Sequence, residues 1–279
     1  MEIVESIEAV RAIRWQNPSL TWGLVPTMGA LHEGHLSLVR QALIDNDRVG
    51  VSIFVNPIQF NDRADLERYP RQIEQDTRML AELGVDVIWV PSEQTMYPAR
   101  FQTYVDVELM TRSLEGVARP GHMRGVTTVV SKLLHVFEPT RAYFGQKDAQ
   151  QAAVIQQMVR DLAFRSEIMV CPTWREADGL AMSSRNVLLD PVERQAATVL
   201  YRALMTAQRA WLNGERNAQY LKTLMTEIIQ AEPLARIDYI SVADPADLIE
   251  IERQVEQGLI SMAVYIGKIR LIDNITVGV

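Results

Sequence analysis

Along the first two thirds of the chain, short apolar runs alternate with segments in which apolar residues recur every three or four positions. Residues 22–26, 49–55, 85–90, 141–144 and 166–171 are compact apolar stretches and predict buried strands. Between and around them, residues 3–16, 35–46, 70–83, 125–137 and 148–162 carry helical periodicity. Gly84 follows the third of these helices where a left-handed C-terminal residue is wanted. Strands that are apolar throughout, separated by helices, predict a parallel sheet covered on both faces. The grammar then changes. Residues 191–211 and 217–230 read as helices, and 236–242, 261–266 and 268–272 as short strands, which is α+β order. A domain boundary is expected within 173–185.

Composition narrows the function classes. The 279 residues hold 28 basic and 35 acidic side chains, a formal net charge of −7. That balance disfavours duplex nucleic acid as a partner, because such binding needs a basic stripe to displace counterions. No stretch approaches the ~20 apolar residues of a membrane span, and the N-terminus lacks a signal-peptide pattern. The one cysteine, Cys171, excludes an internal disulfide and sits at an apolar strand end, where a structural thiol is expected rather than a nucleophile. A cytoplasmic protein fits these features.

Chemistry gathers at strand ends. Met28, Gly29, Ala30, Leu31, His32, Glu33, Gly34 and His35 link the 22–26 strand to the following helix. Strand, glycine-bearing turn and helix make the anion site of open α/β sheets, with backbone N–H groups and the helix dipole facing phosphate. The two histidines, three residues apart, can donate to one polyphosphate. Beyond the 49–55 strand, Gln59 can both donate to and accept from a small polar substrate. Gly145, Gln146, Lys147 and Asp148 follow the 141–144 strand: glycine permits close approach, lysine is a point charge for phosphate, and Asp148 could cap the helix or help hold Mg²⁺. Gln151, four residues after Lys147, would share its helix face. Near the expected boundary, Met182, Ser183, Ser184 and Arg185 form an anion-contacting loop. Together these segments read as a nucleoside triphosphate site, with His32, His35, Lys147, Ser184 and Arg185 around the phosphates and Gln59 and Gln151 beside a second substrate. No Walker or G-x-G-x-x-G motif is present, and catalysis of this kind rests on positioning and charge stabilisation.

In order, VPTMGALHEGH, SIFVNPIQF, RPGHMRGVTTVVSKL, FGQKDAQQ, DGLAMSSRN and RLIDN closely resemble the pantoate–β-alanine ligase family over nearly the whole chain. The His-x-Gly-His element alone would indicate only the wider nucleotidyltransferase superfamily. The resemblance implies a Rossmann-like parallel-sheet N-terminal domain, residues 1–174, and a smaller α+β C-terminal lid domain, residues 175–279. It implies ATP-dependent condensation of pantoate with β-alanine to pantothenate, through pantoyl adenylate, with release of pyrophosphate and AMP and with Mg²⁺ present. By motif, residues 28–35, 145–148 and 182–185 bind the nucleotide. His32 and His35 lie on the phosphates, His35 in the acid role, and Lys147 and Arg185 complete the catalytic set. Gln59 and Gln151 hold pantoate, and Pro26, Met28 and Phe54 are candidates for the wall around its gem-dimethyl group. The implied assembly is a homodimer.

Trp174 departs from the pattern, standing at an adenine-side position that is often a small aliphatic residue. His122, Arg124 and His135 receive no role. The helix N-terminus disfavours imidazolium and bound ATP favours it, so proton uptake on ATP binding is expected at the histidine pair. Two other readings stay open: an enzyme that adenylylates a phosphate acceptor, and a nucleotide sensor without turnover.

Overall fold

The computed structural model describes residues 1–278. Nine strands occur among them: β1 (Glu2–Val4), β2 (Trp22–Thr27), β3 (Arg48–Ile53), β4 (Val87–Trp89), β5 (Arg141–Gly145), β6 (Glu167–Cys171), β7 (Ala235–Ala243), β8 (Gly258–Ile266) and β9 (Ile269–Val277). The helices are α1 (Ile7–Arg14), α2 (Glu33–Asp45), α3 (Arg63–Arg68), α4 (Ile73–Leu83), α5 (Glu93–Met96), α6 (Glu115–Ala118), α7 (His122–Phe137), α8 (Ala149–Asp161), α9 (Pro191–Ala196), α10 (Val199–Leu212) and α11 (Ala218–Gln230). Two compact units result, one of residues 1–145 and 154–172, the other of residues 146–153 and 173–279.

The first unit is built on a six-stranded sheet in the order β1-β4-β3-β2-β5-β6, with every pairing parallel. Alternation along each strand sends successive side chains to opposite faces. Trp22 and Leu24 of β2 join Ala142 and Phe144 of β5 in a core with α1, α7 and α8. Val25 of β2 and Tyr143 of β5 enter the other core, with Val49, Val51 and Ile53 of β3, Leu36 and Val39 of α2 and Leu80 of α4. From β2 the chain proceeds outward to β3 and β4, then returns to the other side of β2 as β5. The sheet therefore reverses its winding between β2 and β5, and open α/β sheets bind ligands beyond the carboxyl ends of strands at such a point.

The second unit has an antiparallel sheet, β7-β8-β9, with α10 and α11 packed on it. Leu200, Leu204, Leu221 and Met225 of the helices bury against Ile260, Met262 and Val264 of β8.

Two departures from the periodicity reading have clear causes. Residues 3–16 do not form one helix: Ile3 and Val4 extend as β1 and pair with Ile88 and Trp89, and Ser6 then starts α1 by accepting a hydrogen bond from Ala9 N–H. β-Branched residues suit an edge strand, and the serine cap divides an otherwise continuous apolar pattern. Residues 191–211 form two helices, because the chain leaves α9 at Ala197–Thr198 before α10 begins. The short helices α3, α5 and α6 carry too few turns to show a period.

Candidate active site

At the carboxyl end of β2, Gly29 and Ala30 are both left-handed, at φ 81° and 51°. Ala30 is strained there, since a Cβ crowds the backbone in that region. The turn is held by neighbours that consume its amides. Gly29 N–H donates to Thr27 Oγ1 at 3.2 Å, and Thr27 Oγ1 donates onward to Ser52 O. Ala30 N–H and Leu31 N–H donate to the two oxygens of Asp76, at 2.9 and 2.8 Å. Asp76 lies in the first turns of α4, only 1% exposed.

His32 is the N-cap of α2, with extended backbone, and His35 is the third helical residue. His32 Nδ1 accepts from Gly34 N–H at 3.1 Å, and His35 Nδ1 accepts from His32 N–H at 3.4 Å. This is a reciprocal capping box in which imidazoles stand where Ser/Thr and Glu/Gln usually do. The rings lie 4.1 Å apart between centroids, tilted by 39°. A ring nitrogen can accept only when unprotonated, so the proton of each neutral ring resides on Nε2.

The amides of Gly29, Ala30, Leu31, His32 and Gly34 are thus all engaged within the protein. The sequence pattern predicts them facing the anion. In this arrangement those amides are committed to the protein itself rather than to a ligand.

Beyond β3, Gln59 ends a short 3-10 turn, Pro57–Gln59, and is 8% exposed. Its Oε1 accepts from Asn56 Nδ2 at 2.9 Å and its Nε2 contacts Met28 Sδ at 3.1 Å. Asn56 also donates to Gly125 O and accepts from Tyr97 O–H at 2.6 Å, and burial raises the Tyr97 phenol. Gly125 brings α7 directly onto this turn: a Cβ there would meet Ile58 O at 2.6 Å and Gln59 Cα at 2.7 Å.

His122 opens α7, and its Nδ1 lies 2.8 Å from Gln59 O. A carbonyl only accepts, so Nδ1 carries the proton and Nε2 faces Arg119 Nη1 at 3.3 Å. This is the opposite tautomer to that of His32 and His35. Arg124 lies over the Tyr104 ring at 4.2 Å, and His135 packs against Phe164. Phe54 is a core residue, 6.1 Å from Tyr97. Glu33 pairs with Arg40 across the exposed side of α2.

Gly145 is the last residue of β5 and belongs to the first unit. In the second unit, Gln146, Lys147 and Asp148 form a 3-10 turn before α8, so Lys147 precedes the helix that holds Gln151. Lys147 Nζ stands 3.6 Å from Asp148 Oδ1. The turn is fastened by Asn274 of β9, whose Nδ2 donates to Gln146 O at 3.0 Å and Lys147 O at 2.8 Å, while its Oδ1 accepts from Gln146 Nε2.

The adjacent Asp273, 2% exposed, receives a two-pronged contact from Arg175 at 2.6 and 2.9 Å. Burial pushes the Asp273 carboxyl up, against the weaker opposing pull of the Arg175 fork. Arg175 also donates to Gly179 O and lies 4.8 Å from the centroid of the Tyr201 ring.

Trp174 O accepts from Met182 N–H at 3.0 Å, while its side chain is 46% exposed. Ser183 Oγ accepts from Arg185 N–H and Ser183 O from Asn186 N–H, which makes 182–186 a defined turn. Ser184 and Arg185 are both half-buried in it.

Asp76, Asn56 and the Asp273–Asn274 pair were not singled out from sequence. Asp76 had a signal: a carboxylate three, four and seven positions before Met79, Leu80 and Leu83, on the apolar stripe of its helix. Asp273 and Asn274 lie in the RLIDN segment, but nothing local connects them to partners 98 to 128 positions earlier.

A family model described as pantoate–β-alanine ligase matches residues 2–276. The pantothenate synthetase of Herpetosiphon aurantiacus is 54% identical over 276 residues, covering 99% of each chain. That of Roseiflexus castenholzii is 54% identical over 274 residues, 98% of each. Among solved structures, a pantothenate synthetase from Thermus thermophilus superposes with a TM-score of 0.94 at 43% identity, covering 99% of each chain. The pantoate–β-alanine ligase of Francisella tularensis, solved with β-γ ATP and β-alanine, gives 0.81 at 38% identity, over 99% of this chain and 97% of that one. End-to-end agreement of this kind, in sequence and in fold, places the chain in the pantoate–β-alanine ligase family.

Proposed function

We propose that the chain condenses pantoate with β-alanine in two steps, using ATP. In the first, a pantoate carboxylate oxygen attacks the α-phosphorus of ATP and pyrophosphate leaves, giving pantoyl adenylate. In the second, the β-alanine amine attacks the acyl carbon, AMP leaves with the bonding pair, and the amine proton is lost. The observation that carries this reading is the histidine capping box at the switch point of the parallel sheet, within a chain that matches the ligase family from end to end.

A carboxylate attacks an anionic phosphate only when charge repulsion is offset by donors aimed at the phosphate oxygens. His32 and His35 supply two such donors through Nε2–H. Lys147 and Arg185, with Ser183 and Ser184, supply the nucleotide contacts that their motifs have in the family, and the Trp174 carbonyl is already committed to Met182 N–H. Gln59, fixed on three sides by Asn56, Met28 and His122, and Gln151 hold pantoate.

Among the described residues no group of three His, Cys, Asp or Glu is gathered for a metal ion. The donors here do not make a protein-held cation site, and Mg²⁺ fits this reading only as a companion of the triphosphate. No step is routed through it. Homodimer formation, a cytoplasmic setting and a lid role for the second unit belong to the same reading. No helix among the described residues is long and apolar enough to cross a membrane.

The test is pyrophosphate release from Mg·ATP with pantoate, run with and without β-alanine. The expected result is pantoate-dependent release that becomes multiple-turnover, with AMP and pantothenate formed, when β-alanine is added. Release that needs a phosphorylated acceptor would move the chain to the phosphate-adenylylating reading; ATP binding without release would make it a sensor.

A further inference from the structure

We infer that Asp76 is a positioning residue for the adenylation half-reaction, acting through the 29–32 turn on His32 and His35. This rests on the reading that the two imidazoles serve the phosphates. The carboxylate is almost fully buried yet meets the turn with both oxygens, one to Ala30 N–H and one to Leu31 N–H. Those residues lead directly into the His32 cap. Ala30 occupies a left-handed conformation that an alanine does not keep without support. The two charge-assisted hydrogen bonds supply that support.

The fit is close. A Cβ on Gly29 would lie 2.9 Å from Asp76 Oδ2 and 3.1 Å from the Ile53 side chain, so a side chain at position 29 would crowd the carboxylate. Asp76 also determines which groups face the ligand. By taking the Ala30 and Leu31 amides it withdraws two backbone donors from the phosphates, a role that the proposed reading gives to the imidazoles. A ring carried on an N-cap moves with its backbone, and catalytic groups lose most of their effect when displaced by about 1 Å.

The experiment compares Asp76→Asn and His35→Ala with wild type in single-turnover pantoate-dependent pyrophosphate release. Histidine-labelled ¹⁵N NMR of the same proteins provides a readout that follows ring tautomers. In Asp76→Asn the amide can accept one N–H but turns a donor toward the other. The expected result is a roughly hundredfold slower adenylation step with the pantoate KM little changed. The His32 and His35 signals, held as Nε2–H in wild type, should become mixed. A folded Asp76→Asn protein with wild-type adenylation and unchanged tautomers would overturn the inference while leaving the His35 result standing. If His35→Ala itself adenylates normally, the underlying reading fails instead. Should Asp76→Asn not fold, hydrogen exchange on the wild type decides: Ala30 and Leu31 amides must be strongly protected, and exchange at exposed-loop rates would reject the role.

Discussion

His32 and His35 hold each other in place: the ring of His35 accepts the backbone N–H of His32, and the ring of His32 caps the helix that carries His35. In the proposed reaction, capping and phosphate binding would therefore use different nitrogens of the same ring. Replacing His35 by alanine should lower the adenylation rate by about 10²–10³, the usual effect of losing one well-aimed donor. Stability should fall by only about 1 kcal/mol, from the lost capping contact. His35→Gln, which restores the usual capping-box residue, should recover the stability in a thermal melt and leave the rate low.

The same geometry revises an expectation about protons. Sequence reasoning sets the helix N-terminus against the charge of ATP and favours proton uptake. Protonating Nδ1 of either ring would place a donor against a backbone N–H, so the neutral Nε2–H form is the one the cap holds. Calorimetry of ATP binding in buffers of different ionisation enthalpy should give the same heat in each. A buffer-dependent heat equivalent to one proton would show that the cap opens on binding.

Gly125→Ala should act on pantoate rather than on ATP. The added methyl meets backbone atoms of Ile58 and Gln59, which cannot move without displacing the Gln59 turn. Overpacking of this kind costs about 1–3 kcal/mol. The expected signature is a raised pantoate KM with the ATP KM close to wild type; equal effects on both would place Gln59 elsewhere in the reaction.

Asn274→Ala should act on the nucleotide instead. It removes the donor shared by the Gln146 and Lys147 carbonyls, which frees the turn that presents Lys147. A lost contact of about 1.4 kcal/mol corresponds to a tenfold weaker affinity, and roughly that change in ATP Kd is expected by titration.

An acid-side prediction follows from Asp178. The hydrogen bonds from Arg194 hold its carboxyl below the ordinary carboxylate range. The unfolded chain then binds the proton more readily than the folded one, so this pair stabilises above about pH 4 and its contribution fades as pH falls further. Arg194→Met should lose less stability than wild type on acidification through that window, in urea melts at a series of pH values. The pair is exposed enough that the difference will be small.

The interior strands β2 to β5 were readable because their central residues are buried on both faces and so largely apolar. β2 and β6 start within a residue of their expected positions. β1 was not, since at an edge Ile3 is largely exposed and its apolar neighbours continue the helical period of α1. His32, Gln59 and Lys147 were singled out by residue type at strand ends. Their supports, Asp76, Asn56, His122 and Asn274, are recognised by what they touch, and those contacts span 3 to 128 positions in sequence. His122 illustrates the difference: its motif was visible, but the carbonyl that it serves was not.

The second unit draws residues 146–153 out of the middle of the chain. During synthesis the Lys147 turn leaves the ribosome long before Asn274, the residue that satisfies its carbonyls. A protein halted just after β8 would have its whole parallel sheet and the His32–His35 pair, yet would lack Asp273 and Asn274. The lysine turn is thus completed only once β9 has been made, and the gene cannot be divided at any single point into two pieces that each encode a whole unit.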